Sequence, residues 1–242
     1  MLRAVAFDYR NTLAEFRWDE GLWHRGVRTM LELAGADVAE TARAAELLRR
    51  RLADRDPSDP IELDYVAAVG DMLAALGVPA AAGLVRRCIE AEYRCWAPAR
   101  HVHPDALALL DGVRGRGLRC ALAANTFDPP ELFRADLVAQ GIAGRMDAIV
   151  LSCELGLRKP HPAVYAAVAA ALDLDPVDVL FVGDRLRDDV LGPAAAGMHT
   201  CLATWYRLDP GDRSRAGAVC TEPLQVLGEL EGIVESGSPG KI

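Results

Sequence analysis

An aspartate stands at position 8, directly after the apolar run Leu2 to Phe7, with Arg10 and Thr12 close behind it. A carboxylate in that place has two ordinary occupations. It caps a turn after a strand, or it attacks a phosphorus or carbon centre and holds the group covalently until water removes it. A second acidic block, Gly183-Asp184 followed by Asp188 and Asp189, closes another apolar run, Val179 to Val182. Magnesium takes oxygen ligands and commonly one or two carboxylates. Aspartates in a first helical turn equally suit the helix dipole. Asn125 and Thr126 end a third run, Leu118 to Ala124. Of 27 basic residues only Lys159 and Lys241 are lysines, and Lys241 lies in the Ser/Gly/Pro-rich tail, so Lys159 stands out.

These residues meet only if the runs before them are neighbours in one sheet. Ala148 to Leu151 and Thr200 to Ala203 add two more such runs, each four to seven residues long and nearly uninterrupted. Strands buried on both faces of a parallel sheet read this way. Helical patterns lie between them, at Asp105 to Arg116, Pro129 to Gln140, Pro162 to Leu172 and Asp188 to Ala196. Strand alternating with helix predicts an α/β fold with right-handed crossovers and ligands at the carboxyl ends of the strands. That edge would collect Asp8, Asn125, Thr126 and Asp184.

The alternation breaks once. Between Phe16 and Cys95 there is no strand-like run, only amphipathic patterns near 19–34, 38–54, 61–76 and 79–95, separated by Gly35, by Asp56-Pro57-Ser58-Asp59-Pro60, and by Gly77 and Pro79. The expected organisation is an α/β core over 1–15 and 97–235, an inserted helical bundle over 16–96, and a flexible tail over 236–242.

A formal net charge of -8 and a pI near 5.2 argue against a phosphate-backbone partner, so no nucleic acid is expected. No run approaches the ~18 apolar residues of a membrane span, and Asp8 interrupts the start where a signal peptide needs an apolar stretch. A cytoplasmic location is expected. The six cysteines are scattered without metal-like spacing and are expected to be small buried residues rather than a disulfide framework.

Three ordered blocks give the chain a resemblance: Phe7-Asp8-x-x-x-Thr12-Leu13, then Gly156-Leu157-Arg158-Lys159-Pro160, then Val182-Gly183-Asp184 with Asp188-Asp189-Val190 and Ala196-Gly197-Met198. It resembles the haloacid dehalogenase superfamily of aspartate-nucleophile hydrolases over nearly its whole length. The resemblance implies a Rossmann-like core with a mobile helical cap inserted after the first strand. It implies Asp8 as nucleophile, Lys159 as the cation that holds it, and Mg²⁺ on Asp8, Asp184, Asp189 and the backbone carbonyl of Arg10, with Asp188 the rival of Asp189. Thr12, Asn125 and Thr126 would position a phosphoryl group. The substrate would be a small anionic, phosphorylated molecule. Dehalogenases of the superfamily work without metal and carry Ser and Asn where this chain has Gly183-Asp184, so the resemblance favours phosphoryl transfer.

Two positions depart from the pattern. Arg10 occupies the place of the second aspartate, which moves protons at the leaving group. A guanidinium stays protonated, so Arg10 is expected to clamp an anionic group instead. Its other reading is an ion pair with Asp184 or Asp189 that replaces the metal. A missing general acid costs roughly 10²–10⁴ in rate, least with good leaving groups such as acyl phosphates. Ala124 stands where the family has a hydroxyl, which leaves Thr126 to supply one. Two alternatives follow: a non-catalytic relative that binds a ligand or a protein, and a metal-independent dehalogenase.

Overall fold

The computed structural model describes residues 1–53, 59–206 and 212–236. The Asp56-Pro57-Ser58 breaker and the tail beyond Ser236 lie outside them. The chain opens with β1 (Ala4–Phe7) and β2 (Ala14–Phe16), then α1 (Glu20–Ala34), α2 (Thr41–Ala53), α3 (Tyr65–Ala75) and α4 (Ala82–Cys95). It continues through β3 (Arg100–Val102), α5 (Ala106–Gly115), β4 (Arg119–Ala124), α6 (Pro130–Ala139), β5 (Ala148–Leu151), α7 (Ser152–Leu155) and α8 (Pro162–Ala171). After β6 (Val179–Gly183) comes a π-helical turn, Leu186–Leu191, then α9 (Gly192–Ala195), β7 (His199–Ala203), β8 (Ala218–Cys220) and α10 (Gln225–Ser236).

Six strands form one parallel sheet in the order β5-β4-β1-β6-β7-β8. Side chains alternate across it as the strand period requires. Val5 and Phe7 of β1 join Leu122, Val182 and helices α5 and α6 on one face; Ala4 and Ala6 join Ala121, Phe181 and α8 on the other. From β1 the chain builds outward to β4 and β5 on one side, and to β6, β7 and β8 on the other. The direction of winding therefore reverses beside β1, and a crevice opens between the carboxyl ends of β1 and β6.

Helices α1 to α4 have a core of their own around Trp23, Val27, Met30, Val69, Leu73, Cys88 and Ile89. Asp19 and Asp64 cap α1 and α3 by accepting from Leu22 N–H and Ala67 N–H at 2.8 and 2.9 Å. The unit leaves and rejoins the sheet through β2 and β3, an antiparallel pair with Ala14 opposite Val102 and Phe16 opposite Arg100. It also touches the far side of the crevice: Glu62 N–H donates to Gly156 O at 3.0 Å, and Arg158 N–H to Pro60 O at 2.7 Å.

Glu92 is buried on α4, at the wall of a cavity between this unit and the core. Glu92 accepts from Trp96 Nε1 at 2.5 Å, and burial lifts its pKa from 4.5 to about 7. Between those two values the unfolded chain releases a proton that the fold retains, so stability falls as pH rises, by roughly 3 kcal/mol in all. Below pH 4.5 both states are protonated and nothing is lost. Glu92→Gln is expected to melt higher than the native protein at pH 8, with the gap narrowing at pH 5. An equal difference at both pH values would refute the burial argument.

Candidate active site

Asp8 is the first residue beyond β1, and its N–H still donates to Val182 O on β6 at 2.9 Å, so it is held in line with the strand. Asp184 is the first residue beyond β6. The two carboxylates thus stand at neighbouring strand ends, Asp8 lining the cavity there and Asp184 buried outside its lining. The π-helical turn after β6 brings in the third. Asp189 N–H donates to Arg185 O at 2.7 Å, and the Asp189 carboxylate accepts from Arg185 N–H at 2.9 Å. Gly183 makes room for this fold-back, because a Cβ there would sit 2.6 Å from Asp189 Cβ. Ligand oxygens of Asp8, Asp184 and Asp189 all lie within 4.8 Å of one another.

Lys159 comes from the loop before α8 and bridges two of these acids, with Nζ 2.7 Å from Asp8 Oδ1 and 2.7 Å from Asp189 Oδ1. The Lys159 side chain is 2% exposed. Burial opposes its charge, but Asp189 and Asp8 together outweigh that and hold its pKa above the usual lysine range. Burial, with repulsion from Asp8 and Asp184, pushes Asp189 upward against the pull of Lys159. Lys159 thus bonds two of the three carboxylates, while burial opposes the charge of Arg185 but Asp184 and Asp188 outweigh it, holding its pKa up. The three clustered carboxylates, an all-oxygen donor set, fit a hard divalent cation.

Around them is a cavity of about 120 Å³. Arg10, Arg158, Lys159 and Arg185 line it together with Asp8, Glu62, Asp188 and Asp189, four cationic side chains among four acidic ones. A family model for haloacid dehalogenase-like hydrolases matches residues 2–197, most of the chain. The protein belongs to that family. A phosphoserine phosphatase from Thermus thermophilus is 35% identical over 104 residues, 43% of this chain and 40% of that protein. A glyceraldehyde 3-phosphate phosphatase from Methanopyrus kandleri is 27% identical over 203 residues, 83% of each chain. Among solved structures, a 2-haloacid dehalogenase from Pseudomonas syringae pv. Tomato superposes with a TM-score of 0.70 at 21% identity, covering 98% of this chain and 100% of that one. At that identity the likeness concerns the fold alone.

For this haloacid dehalogenase-like hydrolase, several expected roles meet different partners. Asn125 lines the cavity but spends its amide on the Lys159 backbone: Oδ1 accepts from Lys159 N–H at 2.8 Å, and Nδ2 donates to Lys159 O at 3.1 Å. It positions the lysine. The Thr126 hydroxyl donates to Asp128 Oδ2 at 2.7 Å, so the hydroxyl missing at Ala124 is not supplied by a free Thr126. Thr12 is buried outside the cavity lining, its Oγ1 has no partner, and its carbonyl accepts from Trp205 Nε1 at 2.9 Å. Arg10 does not plug the acidic cluster. Its guanidinium lies 3.0 Å from Asp128 Oδ2 and 4.8 Å from the centre of the Phe16 ring. Asp188 borders the cavity, while its carbonyl accepts from Tyr165 Oη at 2.6 Å.

Sequence reasoning missed Asp128, Glu62 and Ser152. Asp128 follows Thr126 by two, a local side-chain turn signal. Ser152 accepts from Thr126 N–H at 2.7 Å and donates to Glu62 Oε2 at 2.5 Å across ninety residues of sequence, which no local pattern announces. All six cysteines are free. Among the described residues no helix is long and apolar enough to cross a membrane.

Proposed function

We propose that this hydrolase is a Mg²⁺-dependent phosphatase of small phosphorylated molecules, with Asp8 as the nucleophile. The observation that carries the reading is the Asp8 carboxylate at the crevice, ion-paired at 2.7 Å with a buried lysine and grouped with Asp184 and Asp189. The phosphatase relatives support phosphorus over carbon as the centre attacked.

Asp8, Asp184 and the Arg10 carbonyl would hold Mg²⁺, with Asp189 behind them on Lys159. The ion supplies Lewis-acid stabilisation of phosphoryl charge when bound. Lys159 fixes one oxygen of Asp8 and leaves the other to attack, and its charge falls where the transferring group becomes more negative. Arg158 and Arg185 attract and orient the anion. The helical unit acts as the cap. Its Glu62–Ser152 contact and the backbone pairing at 60–62 with 156–158 close one side of the cavity and limit water. No carboxylate occupies position 10, so the leaving group departs without a proton from that position.

The test is phosphate release from acetyl phosphate and small phosphate esters in Mg²⁺ or in EDTA. Release that needs Mg²⁺ is expected, together with a Mg²⁺-induced rise in Tm that Asp184→Asn removes. Halide release from 2-chloropropionate in EDTA would establish the dehalogenase instead. Inactivity on every substrate without a Tm shift would leave a binding protein.

A further inference from the structure

Beside the catalytic cavity lies a second one of about 260 Å³, between the helical unit and the core. Arg10 and Phe127 line both, so the two adjoin. Three of the chain's four tryptophans wall it, Trp18, Trp23 and Trp96, and its charged lining pairs Arg10 and Arg100 with Glu92 and Asp128. Trp18 packs against Trp23 and Trp96 with ring centres 5.4 and 5.0 Å apart, and Tyr65 meets Phe127 at 4.9 Å. The chamber exceeds the ~150 Å³ apolar cavity that admits a benzene ring. Two donors in its wall lack partners although buried. They are Trp23 Nε1, in a residue 2% exposed, and Arg100 Nε, in a side chain 9% exposed. Buried donors are almost always satisfied, so each marks a place for an acceptor.

Resting on the phosphatase reading, we infer that the substrate is an aryl phosphate, a phosphorylated phenol whose ring enters this chamber and whose ring substituent accepts hydrogen bonds from Trp23 and Arg100. Two independent features of the molecule suit an aryl group. The chamber offers flat aromatic walls to a ring, and small polar alcohols such as glycerol would leave those walls unmatched. At the border, Arg10 provides a fixed positive charge and no proton. An alkoxide needs a proton to leave, whereas a phenol ionises near pH 10, so an aryloxide departs without one. Asp8 Oδ bonds to phosphorus as the phosphorus–oxygen bond to the ring breaks, and the electron pair leaves on the aryl oxygen beside Arg10. Water then cleaves the aspartyl phosphate, both of its protons depart with dihydrogen phosphate, and solvent protonates the released aryloxide.

Aryl esters are intrinsically more reactive, so the decisive probes have no leaving group. Phenylphosphonate and methylphosphonate are compared as inhibitors of acetyl phosphate hydrolysis by the full chain with Mg²⁺. Phenylphosphonate is expected to bind roughly tenfold tighter or better. That preference should fall towards one in Trp18→Ala, a substitution at a residue 51% exposed and so tolerable to the fold. Trp23→Phe, which keeps a ring but deletes the donor, should weaken 4-carboxyphenylphosphonate more than phenylphosphonate. Equal inhibition by phenyl- and methylphosphonate, with acetyl phosphate still hydrolysed, overturns the aryl assignment and spares the phosphatase. Failure to hydrolyse acetyl phosphate at all overturns both.

Discussion

Asp8→Asn is expected to stop phosphate release, with a loss of roughly 10⁶-fold, the scale seen when a covalent nucleophile is removed from a hydrolase. The amide keeps an acceptor for Lys159 but cannot attack. Stability should move the other way. Asp8, Asp184 and Asp189 lie together, and burial, with repulsion from Asp8 and Asp184, already pushes Asp189 towards protonation. Neutralising Asp8 relieves part of that strain, so the variant should melt no lower than the native protein without Mg²⁺. Dead but intact is the predicted combination, read by phosphate release and thermal denaturation. Retention of a tenth of the activity would remove Asp8 from the chemistry.

Arg10→Asp is expected to act in the opposite sense on esters of poor leaving groups. A carboxylate at position 10 would lie near Asp128, the present partner of the guanidinium at 3.0 Å. Two carboxylates so placed raise one another's pKa, which suits a proton donor near neutrality. Turnover of alkyl phosphates such as glycerol 3-phosphate should rise by roughly 10²–10⁴. Acetyl phosphate, whose leaving group needs no proton, should gain little. Aryl phosphates should lose the Arg10 charge beside the departing oxygen and slow. Steady-state kcat across this series checks the expectation, and a uniform fall on all three classes would assign Arg10 to anion binding alone.

The sheet was legible because its strands are buried on both faces. Five apolar runs matched β1, β4, β5, β6 and β7 to within two residues at either end. β8 escaped, since three residues with a half-exposed pattern make no apolar run. The β2–β3 pair escaped too, because Ala14–Phe16 and Arg100–Val102 are strands only by virtue of each other. The helix expected over Asp188 to Ala196 is in fact a π-helical turn over Leu186–Leu191 followed by the short α9. The wider turn accompanies the inward rotation of Asp189 onto Lys159, and such turns recur at functional sites.

At the site, residue type and strand-end position pointed to Asp8 and Asp184, the scarcity of lysine drew attention to Lys159, and the family resemblance supplied the roles of Lys159 and Asp189, with Asp188 as the rival of the latter. Which partner would claim each polar side chain was not readable. Asn125 turns to the Lys159 backbone, and Thr126 and Arg10 both turn to Asp128, because those contacts depend on loops meeting in space. The aromatic chamber was invisible for the same reason. Its walls come from β2, α1, α2, α3, α4, β3 and the loop after β4, which sequence distance keeps apart.

A covalent bond between Asp8 and phosphorus underlies the proposed chemistry, and acid-quenched enzyme taken during turnover of acetyl phosphate with Mg²⁺ would trap it. Mass spectrometry of its peptides should find a phosphoryl group on the peptide that contains Asp8, absent from Asp8→Asn. Phosphate released at full rate while that peptide stays unmodified at every quench time, with oxygen from labelled water entering phosphate and never the Asp8 carboxylate, would contradict it.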